Sequence, residues 1–313
     1  MTFFRTLAAG LGALALSLSA HAAGGAKHTH APEEGWTFTG PVGQLDMDSV
    51  QRGYQVYREV CSSCHGMKLM SYRNLGEKGG PYYDPAYPNA NDNPLVKAFA
   101  EADEILDPVP NDVGDHDYRP ARTSDPFRSP YANDQAARAA NGGALPPDLS
   151  VMTKARGHGA DGDGASYVYS LLSGYPDPED IHMTAGDDGL NVNYLKFNDD
   201  HLHGTLTQPN GQYYNPYFAG DTSAQWDGDP RHVPYGGFLA MAPQLTDGRV
   251  DYLDGTEASV HQMAADVAHF LQWAGDPKQE QRKALGLPVL IYLFLLAILL
   301  WFSYHRIWKN VDH

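Results

Sequence analysis

Two cysteines and a histidine stand together at Cys61-Ser62-Ser63-Cys64-His65, and the 313 residues contain no other cysteine. Thiols three positions apart on one helical turn can each add to a vinyl group of haem. The imidazole that follows can then take an axial position on the iron. Three plainer chemistries use the same residue types. A structural disulfide or a redox dithiol needs only the cysteines and gives the histidine no part. A zinc site needs further thiols or a second clustered histidine pair, which the chain does not offer. The spacing therefore points to one covalently attached haem c, with Cys61 and Cys64 as attachment points and His65 as an iron ligand.

The other axial position must be filled from elsewhere in the chain. The strong-field choices are methionine, histidine, lysine or none, and methionine raises the potential. Of the eight methionines, Met1 belongs to the leader, Met47 precedes the first helix, and Met67 and Met70 are too near His65 to reach the opposite haem face. Met263 falls in an apolar helical stripe. Met152, Met183 and Met241 remain. Met241 is favoured, because Tyr235-Gly236-Gly237-Phe238-Leu239-Ala240-Met241-Ala242-Pro243 has the glycines and proline that let a backbone approach a ring. His201 and His203 are weaker candidates and read better as exposed loop residues.

Several helices must position these groups. Val50, Tyr54, Tyr57, Val60, Cys61 and Cys64 follow helical spacing after a cap at Asp46 or Asp48, so one apolar face runs into the haem motif. The opening helix of a class I cytochrome c looks like this. Asn93 with Pro94 predicts a helix start running to about Ile105. Pro130 to Ala140 predicts a short helix ended by Asn141-Gly142-Gly143. Pro146-Pro147 then fixes an extended strip, Ala144 to Ser150, suited to pack on a porphyrin edge. Ala165 to Ser173 predicts a helix capped by Gly174, and residues 175 to 240 read as loops, with room for a small hairpin, packed mainly by aromatics. Val260, Met263, Ala264, Val267, Phe270, Leu271 and Ala274 form the stripe of a last soluble helix capped by Thr256. That stripe is expected to cross Val50, Tyr54 and Tyr57.

Two apolar stretches bracket this region. Arg5, the run Leu7 to Leu18 and Ala20-His21-Ala22 form a secretory signal peptide. Leu285 to Tyr304 carries no charge and is long enough for a hydrocarbon core of about 30 Å. With one haem motif and no internal repeat, the expected organisation is a signal peptide over 1–22 and a periplasmic cytochrome c domain over 23–280. A transmembrane helix with flanks over 281–307 and a cytoplasmic tail over 308–313 complete it. The chain is acidic, with 22 Lys+Arg against 38 Asp+Glu and a net charge of -16. Such a surface argues against nucleic acid and anionic lipid; it serves either plain solubility or a cationic partner. Glu101 to Asp117 holds seven acids and no base, a run that serves either as a solvated loop or as a docking surface.

These residues resemble the cytochrome c1 family, the haem subunit of the cytochrome bc1 complex (ubiquinol–cytochrome c oxidoreductase). The resemblance rests on Arg52 to Tyr57 running into the Cys61–His65 motif, and on Ala137-Arg138-Ala139-Ala140-Asn141-Gly142-Gly143-Ala144-Leu145-Pro146-Pro147-Asp148-Leu149-Ser150. Asn215-Pro216-Tyr217-Phe218, Met241-Ala242-Pro243, Asp254-Gly255-Thr256 and Phe270-Leu271-Gln272-Trp273-Ala274 carry it further. It implies a mainly α chain, with a class I cytochrome c-like haem domain bearing long loop insertions and one C-terminal transmembrane helix. It implies Met241 as the sixth iron ligand, Asn141 and Pro147 lining the haem pocket, and Arg156 and Tyr167 near the propionates. A guanidinium can pair bidentately with a propionate.

By the same resemblance, single electrons arrive from the Rieske iron–sulfur protein and leave to a soluble cytochrome c with a basic face. Cytochrome b and membrane lipid are the other expected partners, in a dimeric complex of the bacterial inner membrane. Some relatives carry an extra cysteine pair that ties down the ligand loop, so here packing alone is expected to hold Met241. The competing reading is a membrane-anchored monohaem cytochrome c serving as a shuttle or an oxidase subunit.

Overall fold

A computed structural model of the chain describes residues 25–157, 164–185, 191–199 and 201–309. The expected signal peptide and the last four residues of the tail lie outside them. In chain order the helices begin with α1 (Met47–Glu59), followed by 3₁₀ turns at Cys61–Ser63 and Tyr72–Gly76, then α2 (Pro94–Glu101). Strands β1 (Glu104–Leu106) and β2 (Tyr118–Pro120) precede α3 (Asp134–Ala140), α4 (Met152–Ala155) and α5 (Gly164–Ser173). Strands β3 (Ile181–Ala185), β4 (Asn191–Asn198), β5 (His203–Gln208), β6 (Tyr213–Asn215) and β7 (Gly237–Leu239) come next. The chain closes with α6 (Val260–Gly275) and α7 (Gln279–Trp308). Two compact units are assembled from these, each from separated stretches. The first takes 1–31, 131–146 and 156–264; the second takes 32–130, 147–155 and 265–313.

In the second unit α1 starts as its sequence predicts. The Asp46 side chain accepts from the Asp48 N–H, and Met47 is already the first helical residue rather than part of a preceding loop. Its apolar face, Val50, Tyr54, Val56 and Tyr57, is buried. Gly53 makes close packing against α6 possible: a Cβ there would lie 2.0 Å from the Asp266 carbonyl oxygen and 2.8 Å from the Phe270 Cβ. The rings of Tyr54 and Tyr57 each stand 5.6 Å from that of Phe270, which is the expected meeting of the two stripes. Asp266 is wholly buried at this crossing. Arg52 grips it with Nε and Nη2 at 3.0 and 3.1 Å, so the buried carboxylate has a charged, bidentate partner.

The helix beginning at Pro94 is capped by the Asn93 side chain, which accepts from Leu95 and Val96 N–H. It ends at Glu101, four residues short of the expected Ile105, because the next residues pair as a hairpin with Glu104 opposite Pro120 and Leu106 opposite Tyr118. Three residues of the acidic run thus form β1, and 107–117 are the loop that joins it to β2.

In the first unit the stretch expected to be loops holds two antiparallel sheets, β3-β4-β5 and β6-β7. Leu195, Leu206 and Tyr214 form their core, with Phe197, Trp226 and Phe238 packed against it. Tertiary packing of a few aromatics overrides a sequence dense in Gly, Pro, Asp and Asn. The start of α6 also differs from its sequence reading. Ser259 Oγ accepts from Gln262 N and Asp247 Oδ1 accepts from Val260 N, while Thr256 stays in the preceding turn. These sheets qualify the expected mainly α character.

Helix α7 runs 30 residues and is the one described helix long and apolar enough to cross a membrane. Pro288 lies within it without ending it. A spanning helix tolerates such a residue where neighbouring groups satisfy the freed carbonyl. Its first turn is tied to the second unit. Glu280 Oε1 accepts from Leu45 N at 2.9 Å, and Gln279 Nε2 donates to Phe38 O at 3.0 Å.

Candidate haem site

Helix α1 ends at Glu59, so the cysteines stand on the 3₁₀ turn that follows it, not on the helix itself. This turn keeps the two thiols on one curve of chain. Both are unbridged and partly buried. Burial, reinforced by the neighbouring Cys64, pushes the Cys61 thiol up to about 12. That is the reverse of the lowered thiol a redox dithiol needs for attack. Among the described residues no group of three His, Cys, Asp or Glu side chains is placed to hold a metal ion, so a zinc site finds no partners.

His65 is oriented by one bond. Its Nδ1 lies 2.8 Å from the Pro147 carbonyl. A carbonyl only accepts, so Nδ1 carries the proton and Nε2 keeps its lone pair for a metal. Burial lowers the pKa of the imidazole, while the Pro147 carbonyl and the Asp148 carboxylate act in the opposite direction.

The chain on either side of this bond is clasped in register. Leu149 N donates to Gly66 O at 2.9 Å, Asp148 Oδ2 accepts from Lys68 N at 2.8 Å, and Ser150 Oγ accepts from Leu69 N at 3.1 Å. Asp148 Oδ1 also accepts from Ser150 N, closing a turn. Proline gives the strip its extended course and removes one donor, leaving its carbonyl to face the imidazole. Tyr57 of α1 adds a hydroxyl 3.3 Å from the His65 carbonyl. The donor set therefore fits a c-type haem: two free thiols on one turn and an imidazole whose far nitrogen is held ready.

Of the remaining residues read from sequence, Asn141, Arg156, Tyr167, Met183, His201, His203 and Met241 lie in the first unit, and Met152 lies in the second. Asn141 caps α3, and its Nδ2 donates to Tyr131 Oη at 3.0 Å and to Ala137 O at 2.7 Å. The exposed Arg156 carries its guanidinium 5.3 Å from the centre of the half-buried Tyr167 ring, a cation–π pair. Met241 is half-buried, two residues beyond β7. Met183, another methionine left open by sequence, is 68% exposed on β3, which suits an iron ligand poorly. Met152 begins the short α4. His201 and His203 are exposed, as expected, but His203 opens β5 rather than lying in a loop.

Sequence reading missed two groups. Asp148 was quoted in the strip without a role, although an acid beside a proline is a common turn former. Tyr175 was passed over altogether. Its hydroxyl donates to the Met241 carbonyl at 2.7 Å, so packing alone does not hold that loop.

The family model described as the Cytochrome C1 family matches residues 36–311. Cytochrome c1 of Rhodospirillum rubrum is 37% identical over 313 residues, covering 98% of this chain and 97% of that protein. The mitochondrial cytochrome c1 haem protein of Saccharomyces cerevisiae is 39% identical over 284 residues, 90% of this chain and 74% of its own. A protein of Bradyrhizobium diazoefficiens named cytochrome b/c1 is 38% identical over 279 residues, 89% of this chain; the match spans only 36% of that longer protein. A clasped CxxCH turn, a proline carbonyl on its histidine and a match over nearly the whole length agree with one another: the chain belongs to the cytochrome c1 family.

Proposed function

We propose that the chain is the haem-bearing, electron-transfer subunit of ubiquinol–cytochrome c oxidoreductase, taking single electrons from the Rieske iron–sulfur protein and passing them to a soluble c-type cytochrome. The observation that carries this is the clasp between residues 65–69 and 147–150, within a chain matched to the cytochrome c1 family over residues 36–311. Cys61 and Cys64 would hold one haem c as thioethers, on a class I cytochrome c-like domain. His65, through Nε2, and Met241, through its thioether, would be the residues that hold the iron. Bound there, the haem supplies a one-electron couple whose potential follows its axial ligands and its burial.

The chain's own residues do the rest. Pro147 O fixes the tautomer and plane of His65, and Asp148 and Ser150 hold the backbone that carries it. Asn141 and Pro147 would line the pocket. Arg156, stacked over Tyr167, offers a planar donor to a haem propionate. No general acid, base or nucleophile is required, since no substrate bond is made.

Helix α7 would anchor the chain in the inner membrane, with the bulk in the periplasm and the tail in the cytoplasm. Cytochrome b is the natural neighbour in the membrane: the Bradyrhizobium relative bears both names on one chain. The assembled complex would be dimeric. Extraction of the native membrane with mild detergent tests this reading. The chain should copurify with b-type haem and a Rieske centre; recovery as a free monohaem cytochrome would contradict it.

A further inference from the structure

We infer that Tyr175 is a positioning residue for Met241, its hydroxyl holding the backbone carbonyl of the residue that presents the thioether. This rests on the reading of Met241 as the sixth ligand. A thioether is a neutral, soft donor, so its hold on iron depends on how well the loop is preorganised, to within roughly 0.5 Å.

All the relevant parts lie in the first unit. Helix α5 ends at Ser173, and Gly174 follows where a side chain has no room: a Cβ would meet the Tyr217 ring at 2.4 Å and the Ser170 carbonyl at 2.5 Å. The start of Tyr175 is thereby fixed. Asn215, fully buried, donates from Nδ2 to Leu171 O of the same helix at 2.8 Å and accepts from Tyr217 N at 2.9 Å. This seats β6 against α5. Strand β7 pairs with β6, Asn215 opposite Gly237 and Tyr213 opposite Leu239.

The approach to Met241 is tied at successive points. Thr222 Oγ1 donates to Pro234 O at 2.7 Å, Tyr214 Oη to Tyr235 O at 2.5 Å, and Gly236 N to Gly25 O at 3.1 Å. Strand pairing then holds 237–239 and stops. Met241 lies two residues further, and there the Tyr175 hydroxyl takes its carbonyl at 2.7 Å. Burial, with lesser repulsion from Tyr167 and Tyr213, raises the Tyr175 pKa, so the phenol remains a donor throughout the working range.

The test compares the full chain in its purified complex with two variants: Tyr175→Phe, and 4-aminophenylalanine in place of Tyr175, which restores a donor on the same ring. Covalent haem should be unchanged in both. Tyr175→Phe should partly lose the thioether–iron absorption band, shift the potential downward and let a fraction of the reduced haem bind carbon monoxide; the amino variant should recover all three. Equal behaviour of the two variants, including failure of both to assemble, would overturn the inference. Met241→Leu serves as the separate reference. If it keeps the band and the potential, the assignment of the ligand falls. If it loses both while Tyr175→Phe does not, only the tether falls.

Discussion

His65 donates its Nδ1 proton to a carbonyl 82 positions away in the chain, and that bond sets both the tautomer and the plane of the imidazole. Asp276 is a second residue whose state is set by its neighbours. Burial alone would raise its pKa, but hydrogen bonds and charge from Arg282 and from Lys154, whose Nζ is 3.1 Å away, outweigh that and hold it below the ordinary 3.8. A carboxylate depressed in the folded state stabilises the fold above its unfolded pKa, and this contribution is lost as pH falls through the folded value. Asp276→Asn should therefore flatten the loss of thermal stability below about pH 4; an unchanged acid limb would refute the assignment. Cys61, Cys64 and His65 were legible because their chemistry is written in adjacent residues. Pro147 was expected in the pocket from the family resemblance, but its bond to His65 was not legible, because it depends on the fold's return. Tyr175 offered no local signal, since a lone tyrosine after a glycine fits most loops.

Helices read well where an apolar stripe and a cap coincided. For α1 the Val50–Tyr54–Tyr57 face was correct and the cap is Asp46, one of the two acids expected there; for α2 Asn93 with Pro94 was correct. Short strands did not read, because β3 to β7 bury few residues each and their inner face is recognisable only once Trp226 and Phe238 are packed on it. The α6 cap was misplaced at Thr256 because Ser259, three residues later, takes that role and the carboxylate of Asp247 comes from another turn. The crossing of α1 and α6 gives the element-level prediction. Gly53→Ala places a methyl 2.0 Å from the Asp266 carbonyl oxygen, so the helices must part. Overpacking of this kind costs about 1–3 kcal/mol. Thermal unfolding of the variant should begin several degrees lower, with less haem-bearing protein recovered. Wild-type stability would show that the crossing yields.

For the molecule as a whole, charge and the long apolar C-terminal helix were visible in composition, and the β1–β2 pairing at the ends of the acidic run was not. Asp103 accepts from the Tyr72 hydroxyl at 2.7 Å, and Asp107 pairs with Arg119 at 3.0 Å. Glu101, Glu104, Asp112, Asp115 and Asp117 remain exposed on and around the β1–β2 hairpin. If this hairpin steers a basic cytochrome c, replacing Glu104, Asp112 and Asp115 by their amides should lower the reduction rate at low salt and flatten its salt dependence. An identical salt response would remove the hairpin from docking. The central claim, that one covalent haem is held by His65 and Met241, is tested most directly by redox titration of the complex carrying Met241→Leu beside wild type. The account predicts retained covalent haem, a sharply lower potential and carbon monoxide binding to the reduced iron. A high potential in that variant would contradict it.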